Sequence, residues 1–501
     1  MPLIINKLGL KPKQKNMLHC KDINKISEIK NSFTHSWVEP DFIKSSLKCF
    51  SFSDLCSCFK ELKLKGYGLE YILSILISCP FEGYSTVYSM FGHYVQNSFQ
   101  AGKDVFYRLK NNPKIGWRLL LWMFARKFNT ICTSGSLGAN HSGQIKCLIF
   151  DDTVLKKTGR FIENISRVWD HVSNRCVLGF KMLLMAYWDG TSLIPVDFSL
   201  HREKGKNKDK PFGLKKRELK RQFKKKREKS SLSYSRSMET DIDKIEMAIK
   251  MFKRAVSQGF QIDYVLMDSW FTCDAFIDAV LQVKSQNIHL IGMYKIAKTK
   301  FTYQGQTYTY SQLRNLLGKA KRCKLLGLYY LEALVEYKGK NIKLFFSKQG
   351  KKGKWKVLVC TDTSLSFKKM IEIYQVRWTI EVFFKESKQL LGLGKCQSND
   401  FDAQIADLTI NMIQYILISL RYRYEKYESK VGLYAQIKSE VIQKRLSQRL
   451  WELFIELVQL IQTLFEEMDQ DQLLEKIFHN EQACEKIALL LNFKEEKSKA
   501  A

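Results

Sequence analysis

Four side chains near residue 380 have the types and spacing of a reaction site. Tyr374, Arg377, Glu381 and Lys388 offer a phenol, a guanidinium, a carboxylate and an ammonium. The stretch from Lys368 to Leu391 lacks Gly and Pro, so it is predicted to form one helix. At about 100° per residue these four then share one edge. Ile373, Val376, Ile380, Phe383, Phe384 and Leu391 form an apolar stripe beside that edge, which would hold the helix on a core. A carboxylate on such an edge can hold a metal and the cations can hold phosphates; the competing reading is a solvated charged edge. Two apolar runs, LIFDDT and VLMDSW, bring further carboxylates, Asp151-Asp152 and Asp268. Both runs read as buried strands with carboxylates at their carboxyl ends, where open α/β sheets bind ligands. An aspartate there also caps turns, a role open to Asp268 ahead of Ser269-Trp270-Phe271. Three converging carboxylates suit Mg²⁺ or Mn²⁺. Two such ions about 4 Å apart activate an attacking oxygen and stabilise a leaving one at phosphorus.

The chain around these residues has 501 positions, 45% of them hydrophobic, enough for a sizeable core and several domains. With 82 Lys+Arg against 50 Asp+Glu, its net charge of +32 calls for a polyanionic partner. No uninterrupted apolar run reaches the length of a membrane span, and the N-terminus lacks a signal-peptide pattern. The 13 Cys and 8 His show no zinc-ligand spacing, and the cysteines read as free thiols of a reducing cytoplasm.

The expected fold is α/β, an RNase H-like mixed sheet with helices, interrupted by a β-rich insertion and flanked by helical regions. Residues 1–45 read as a basic, partly ordered arm and 46–132 as a helical DNA-binding domain broken at Gly66, Pro80 and Pro113. A Gly/Ser-rich linker, 133–142, follows. The first part of the core, 140–294, holds strands at 145–150, 175–188 and 191–200, the last two joined by an Asp189-Gly190 hairpin. A helix from Ser237 to Gly259 with Thr240 and Asp243 as a capping box, then strand 264–267, helix 273–284 and strand 289–294 complete it. Within this part, the basic loop 202–229 carries 15 Lys/Arg against 4 Asp/Glu. It reads as a mobile, solvated loop that contacts phosphates through Lys215, Lys216, Arg217, Lys220, Arg221, Lys224, Lys225, Lys226 and Arg227. Residues 295–356 read as a small inserted sheet domain and 357–415 as the second part of the core. The helical region 416–501, with amphipathic segments at 445–466 and 471–492, would pack on the core or pair subunits.

Tyr374-x2-Arg377-x3-Glu381-x6-Lys388 matches the Y–R–E–K signature of the insertion sequence four (IS-four) family of DDE transposases, which this chain resembles over roughly residues 145–415. Asp151 in the D-x-T context of Asp151-Asp152-Thr153, and Asp268 after a hydrophobic strand, match the other two motifs. The resemblance implies Asp151, Asp268 and Glu381 as ligands of two Mg²⁺ or Mn²⁺ ions, with Asp152 the weaker claimant to the first position. It implies phosphate contacts near a transposon end for Tyr374, Arg377 and Lys388. Trp355, the sole Trp of the insertion, would help hold a flipped base. The implied activity is cleavage at terminal inverted repeats of a bacterial insertion sequence and joining of 3′-OH ends to target DNA. The implied partners are double-stranded transposon-end and target DNA and a second subunit in a synaptic dimer, with no membrane. The implied location is the bacterial cytoplasm, on the nucleoid when DNA-bound. Alternatives from the residues are an RNase H-like nuclease without strand transfer, a non-catalytic transposase-derived DNA-binding protein, and a basic RNA-binding protein.

Overall fold

A computed structural model describes residues 40–59, 66–93, 101–134, 144–295, 299–424, 427–464, 479, 480 and 482. Most of the predicted arm and linker, and nearly all of 471–492, lie outside the described residues. Contacts divide the chain into two compact units, one of residues 1–44, 74–105 and 431–501, the other of 45–73 and 106–430. This division cuts through the stretch expected as one helical domain, 46–132.

The N-terminal helices are α1 (Asp41–Cys49), α2 (Phe52–Ser57), α3 (Leu69–Ser78), α4 (Val87–His93), α5 (Lys103–Lys110) and α6 (Trp117–Ser134). Next come strands β1 (Cys147–Lys156), β2 (Ser166–Asp170), β3 (Arg175–Trp188) and β4 (Leu193–His201), then helices α7 (Lys216–Arg221), α8 (Leu232–Met238) and α9 (Lys244–Ser257). Then follow β5 (Tyr264–Met267), α10 (Asp274–Leu281) and β6 (His289–Tyr294). In the larger unit α6 belongs with the core. Its Arg118 donates to Asp197 of β4 (2.9 Å) and to Glu239 (2.7 Å), and Arg254 of α9 grips the same Asp197 at 2.7 Å. The Asp197 side chain is 1% exposed, and a carboxylate buried so deeply needs such paired cations.

Of the insertion, β7 (Lys300–Tyr303), β8 (Gln306–Thr309), α11 (Tyr310–Leu316), β9 (Lys321–Cys323), β10 (Leu328–Tyr337) and β11 (Lys340–Gln349) lead to β12 (Lys356–Cys360). All strands join one 12-stranded sheet of order β2-β3-β1-β5-β6-β12-β11-β10-β7-β8, with β4 on β3 and β9 on β10. Among the described residues only β1–β5 and β5–β6 are parallel, so the sheet is mixed and largely antiparallel, consistent with an RNase H-like fold. The insertion is not a separate small sheet, because β11 pairs with β12 and β12 with β6.

Three local expectations shift. β1 does not end at Asp151 but continues to Lys156, because β3 pairs with it over its full length. The β3–β4 connection spans residues 189–192, closed by Asp189 Oδ1 accepting from the amides of Thr191 (2.9 Å) and Ser192 (2.7 Å). The helix expected from Ser237 starts instead at Lys244, where Asp243 alone caps the amide of Ile245 at 2.8 Å.

The rod predicted over 368–391 is present, but it is not uniform. It runs as α12 (Phe367–Gln375), a 3₁₀ turn (Val376–Trp378), α13 (Thr379–Glu386) and a π turn (Ser387–Leu391), with right-handed dihedrals at each junction. Ser366 caps its start, and Gly392 ends it at φ +76°. Ile373, Ile380, Phe383, Phe384 and Leu391 are buried as the stripe requires. The last helices are α14 (Phe401–Tyr424) and α15 (Lys430–Leu464). α14 is long and apolar enough to cross a membrane, yet 94% of its apolar window is buried inside the protein.

Candidate active site

The site begins with register. Phe150 of β1 and Met267 of β5 are the last parallel partners. Asp151 and Asp268 are the next residues on each strand, so the pleat sets the two carboxylates side by side. β5 ends there. Asp268 Oδ1 accepts from the amides of Trp270 (2.9 Å) and Phe271 (3.3 Å), and its carbonyl accepts from Thr272 Oγ1 at 2.7 Å. Asp268 therefore does cap its turn, through Oδ1, and Oδ2 takes neither of these bonds.

Residues 151 and 153 share one face of β1 and residue 152 takes the other. On the first face, Asp151 Oδ2 meets Arg377 at 3.4 Å, and Lys388 donates to Thr153 Oγ1 (2.7 Å) and Val154 O (3.2 Å). On the second, Asp152 pairs with Lys244 at the start of α9. The D-x-T spacing thus docks the rod at two points along one strand. Arg377 lies in the 3₁₀ turn and Lys388 in the π turn. A tight turn and a wide turn rotate these two side chains away from the positions of a regular helix.

Arg377 also donates to Glu381 Oε1 at 2.6 Å, so one guanidinium joins Glu381 to Asp151. Tyr374 donates its hydroxyl to Met267 O at 3.1 Å, pinning the rod to the strand end beside Asp268. Each of Tyr374, Arg377 and Lys388 therefore has a protein partner, which their expected phosphate contacts did not include.

Burial pushes the Asp151 carboxyl up to about 7, against the pull of the Asp152 amide and Arg377 and with added repulsion from Asp268. Burial opposes the Arg377 charge, but Tyr374, Glu381 and Asp151 outweigh it and raise its pKa. Burial lowers the Lys388 pKa and pushes the Tyr374 phenol up to about 12.

The three carboxylates do not converge unaided. Among the described residues no three His, Cys, Asp or Glu side chains are grouped closely enough to hold a metal ion as they stand. Asp151 and Glu381 instead flank the Arg377 guanidinium. The donors still fit a hard divalent cation. They are all carboxylate oxygens, Asp151 and Asp268 repel one another, and a positive charge already lies between Asp151 and Glu381.

Asp151, Asp152 and Asp268 line an open cavity of about 1010 Å³, with Lys181, His201, Arg202, Lys204, Lys244, Lys295, Trp169 and Trp270 among its other walls. None of the cavity's Trp, Lys or His residues was singled out from the sequence. Lys244 directly after the N-cap Asp243 was the available signal, and Trp270 two residues past Asp268 was another. His201 holds Ser199 Oγ (2.7 Å) and Ile242 O (3.0 Å) on its two ring nitrogens, and burial lowers its pKa to about 4. It is a neutral structural imidazole.

Of the basic segment, Arg202 and Lys204 reach this cavity, but none of the nine cations proposed at 215–227 lines it, nor does Trp355. Far from being a mobile loop, the segment is tied down. Phe223 N donates to Phe161 O (2.8 Å), Gln222 Nε2 to Ile165 O (2.9 Å) and Lys225 N to Glu163 Oε1 (3.2 Å). Lys215, Lys216, Arg217, Lys220, Arg221, Lys224 and Lys226 are exposed. Lys225 and Arg227 are not; they turn to buried acids. Arg227, its side chain 3% exposed, forks onto Glu163 at 2.6 and 2.8 Å, and Lys225 pairs with Asp400 (2.9 Å) and Asp402 (2.8 Å). Trp355 is half-buried, with Lys348 Nζ 4.8 Å from its ring centroid.

Comparison with known proteins agrees with this geometry. Residues 234–417 match the family described as Transposase DDE domain, which takes in Asp268, Glu381 and the whole rod. Residues 136–295 match the DDE superfamily endonuclease family, which takes in Asp151 and Asp268. No curated protein matches the chain at a significant level. Enzymes of this superfamily act on DNA and use divalent metal ions. Strand register, docked rod and family matches converge on one statement: with a transposase DDE domain over 234–417 and a DDE superfamily endonuclease match over 136–295, this chain is a transposase of the DDE superfamily.

Proposed function

We propose that this chain is the transposase of a bacterial insertion sequence of the IS-four type. It binds the element's terminal inverted repeats, cleaves at the ends and joins the freed 3′-OH to target DNA, working as a dimer on two ends in the cytoplasm. The observation that carries the reading is the register that sets Asp151 beside Asp268, with Glu381 tied to Asp151 through Arg377.

Asp151, Asp268 and Glu381 would hold two Mg²⁺ or Mn²⁺ ions, which supply Lewis-acid activation of the attacking oxygen and charge stabilisation of the leaving one. The protein's own residues do the positioning. Tyr374 holds the rod at the end of β5, and Lys388 holds it along β1, so the Glu381 carboxylate keeps its distance to the two aspartates. Arg377 balances the carboxylates until DNA arrives and then turns its fork to phosphate oxygens, a geometry guanidinium matches well. Water attacks in line at the element's end and releases a 3′-OH. That oxygen then attacks a target phosphodiester. Both steps displace oxygen by oxygen at phosphorus, so one site serves both. Trp355 and the exposed cations of 215–226 add contacts along the DNA outside this site.

The test uses DNA carrying the element's terminal repeats, incubated with the full chain and Mg²⁺ and scored for cut and end-joined products. Asp151→Asn, Asp268→Asn and Glu381→Gln are each expected to lower cleavage by about a thousandfold or more while leaving end binding intact. Near-parental cleavage by Glu381→Gln would end the assignment. Cleavage with no joined product in any variant or the parent would leave a nuclease instead.

A further inference from the structure

Trp270 stands out among the residues the reaction does not already use. It is 50% exposed, and a single exposed Trp on a surface needs no explanation. Three further observations separate it from that case. Its amide is bonded to Asp268 Oδ1 at 2.9 Å, so the ring's place is tied to a site carboxylate. It lines the same cavity as Asp151 and Asp268. Two ammoniums from different elements lie over its ring, Lys244 Nζ at 4.9 Å from the start of α9 and Lys295 Nζ at 4.2 Å from just past β6.

The geometry points to Trp270 as a stacking platform for one unpaired nucleobase of the DNA strand that enters the Asp151–Asp268 cavity, with Lys295 and Lys244 taking the neighbouring phosphates. This rests on the DNA-cleaving reading above. An aromatic face accepts any base, and such stacking is strong in single-strand binding sites. Lysine ammoniums are mobile, hydrated point charges. An arriving strand can draw Lys295 from the ring to a phosphate and leave the exposed face to the base. Lys244 is held by Asp152 as well, so it marks the inner end of the platform and Lys295, exposed, the outer. The segment from Asp268 to Trp270 then serves two ends, a carboxylate toward the phosphodiester and a ring toward the base next to it.

The experiment compares two fluorescein-labelled strands of about 20 nucleotides, an oligothymidylate and an all-abasic strand of equal length and charge, bound to the full-length chain in EDTA across a salt series. The parent is expected to prefer thymidylate. Trp270→Ala is expected to lose about tenfold of that preference with an unchanged salt slope, while Trp270→Phe keeps most of it. Lys295→Ala is expected to lower the salt slope by about 1 and leave the preference in place. A Trp270→Ala protein with the parental preference overturns the platform, as does a parent with no preference. Metal-dependent cleavage that still needs Asp151, measured alongside, separates these failures from failure of the DNA-cleaving reading. A circular dichroism melt matching the parent's rules out misfolding of either Trp270 variant, and Trp270→Phe carries the test if Trp270→Ala melts early.

Discussion

The rod of residues 367–391 and the basic segment 202–229 both carry many charges, and they use them in opposite ways. In the rod, Tyr374, Arg377 and Lys388 turn inward onto β1 and β5, at Met267 O, Asp151 and Thr153. In the basic segment, Lys225 and Arg227 turn away from solvent and neutralise Glu163, Asp400 and Asp402, while the other seven cations proposed at 215–227 remain exposed. Apolar spacing orients every side chain of a helix at once. A segment with no such period leaves each cation to the nearest buried acid, so its charges cannot be treated as one surface.

This contrast can be broken at its strongest point first. Arg227→Ala leaves Glu163 buried without its bidentate partner, and denaturant unfolding is expected to show a loss of about 3–5 kcal/mol. A loss below 1 kcal/mol (roughly the scale of a surface pair) would return Arg227 to the exposed set.

The second effect concerns the rod's side. The Asp151 pKa is raised by burial to about 7. Such a shift favours the protonated fold, so its contribution to stability is full below the unfolded carboxylate pKa and is lost as pH rises through about 7. Metal ligation needs the ionised form. Mn²⁺ affinity, measured by calorimetry on the metal-free protein, is therefore expected to fall about tenfold per pH unit below 7. A flat profile from pH 5 to 8 would place Asp151 outside the ligand set. Without metal, Asp151→Asn should melt above the parent at pH 8, and the gap should close by pH 4.

Tyr374→Phe removes one hydrogen bond and leaves Met267 O without that donor, at an expected cost of about 1 kcal/mol in unfolding. The larger sign of its role would be a fall in cleavage rate with DNA affinity unchanged, since the rod loses its tether beside Asp268. Unchanged cleavage would mean that Lys388 alone positions the rod. The smallest stability effect belongs to the exposed cations. Lys216→Ala and Lys220→Ala should each change stability by less than about 0.5 kcal/mol, and each should lower the salt slope of DNA binding by about 1. A stability loss like that of Arg227→Ala would erase the difference between the two halves of the segment.

Much of the fold was legible from local pattern. The buried strands around 147–150, 264–267 and 289–294 and the apolar stripe of the rod all follow from short-range periodicity. The place of Asp151 and Asp268 at the ends of apolar runs and of Glu381 beside the stripe reads out the same way, while the resemblance proposed their roles. What local pattern misjudged was extent. β1 runs through Asp151 because β3, not its own composition, continues the ladder, and the α9 start moved to Asp243 because Ser237 already ends another helix.

The sequence by itself determined which residue types are available for chemistry and which faces are apolar, because residue type and a period of a few positions decide both. Tertiary structure decided what meets what. Arg377 and Asp151 are 226 positions apart, and Lys225 and Asp400 are 175 apart. No local rule orders pairs at that range. The strand register that sets Asp151 beside Asp268, the acids that turn Arg227 inward and the cavity that gathers Trp270 with Lys244 and Lys295 all arise from how the sheet and its helices pack. At the rod, packing also chose a 3₁₀ turn at Arg377 and a π turn at Lys388, so that a helix of fixed pitch could reach two points on a strand of different rise.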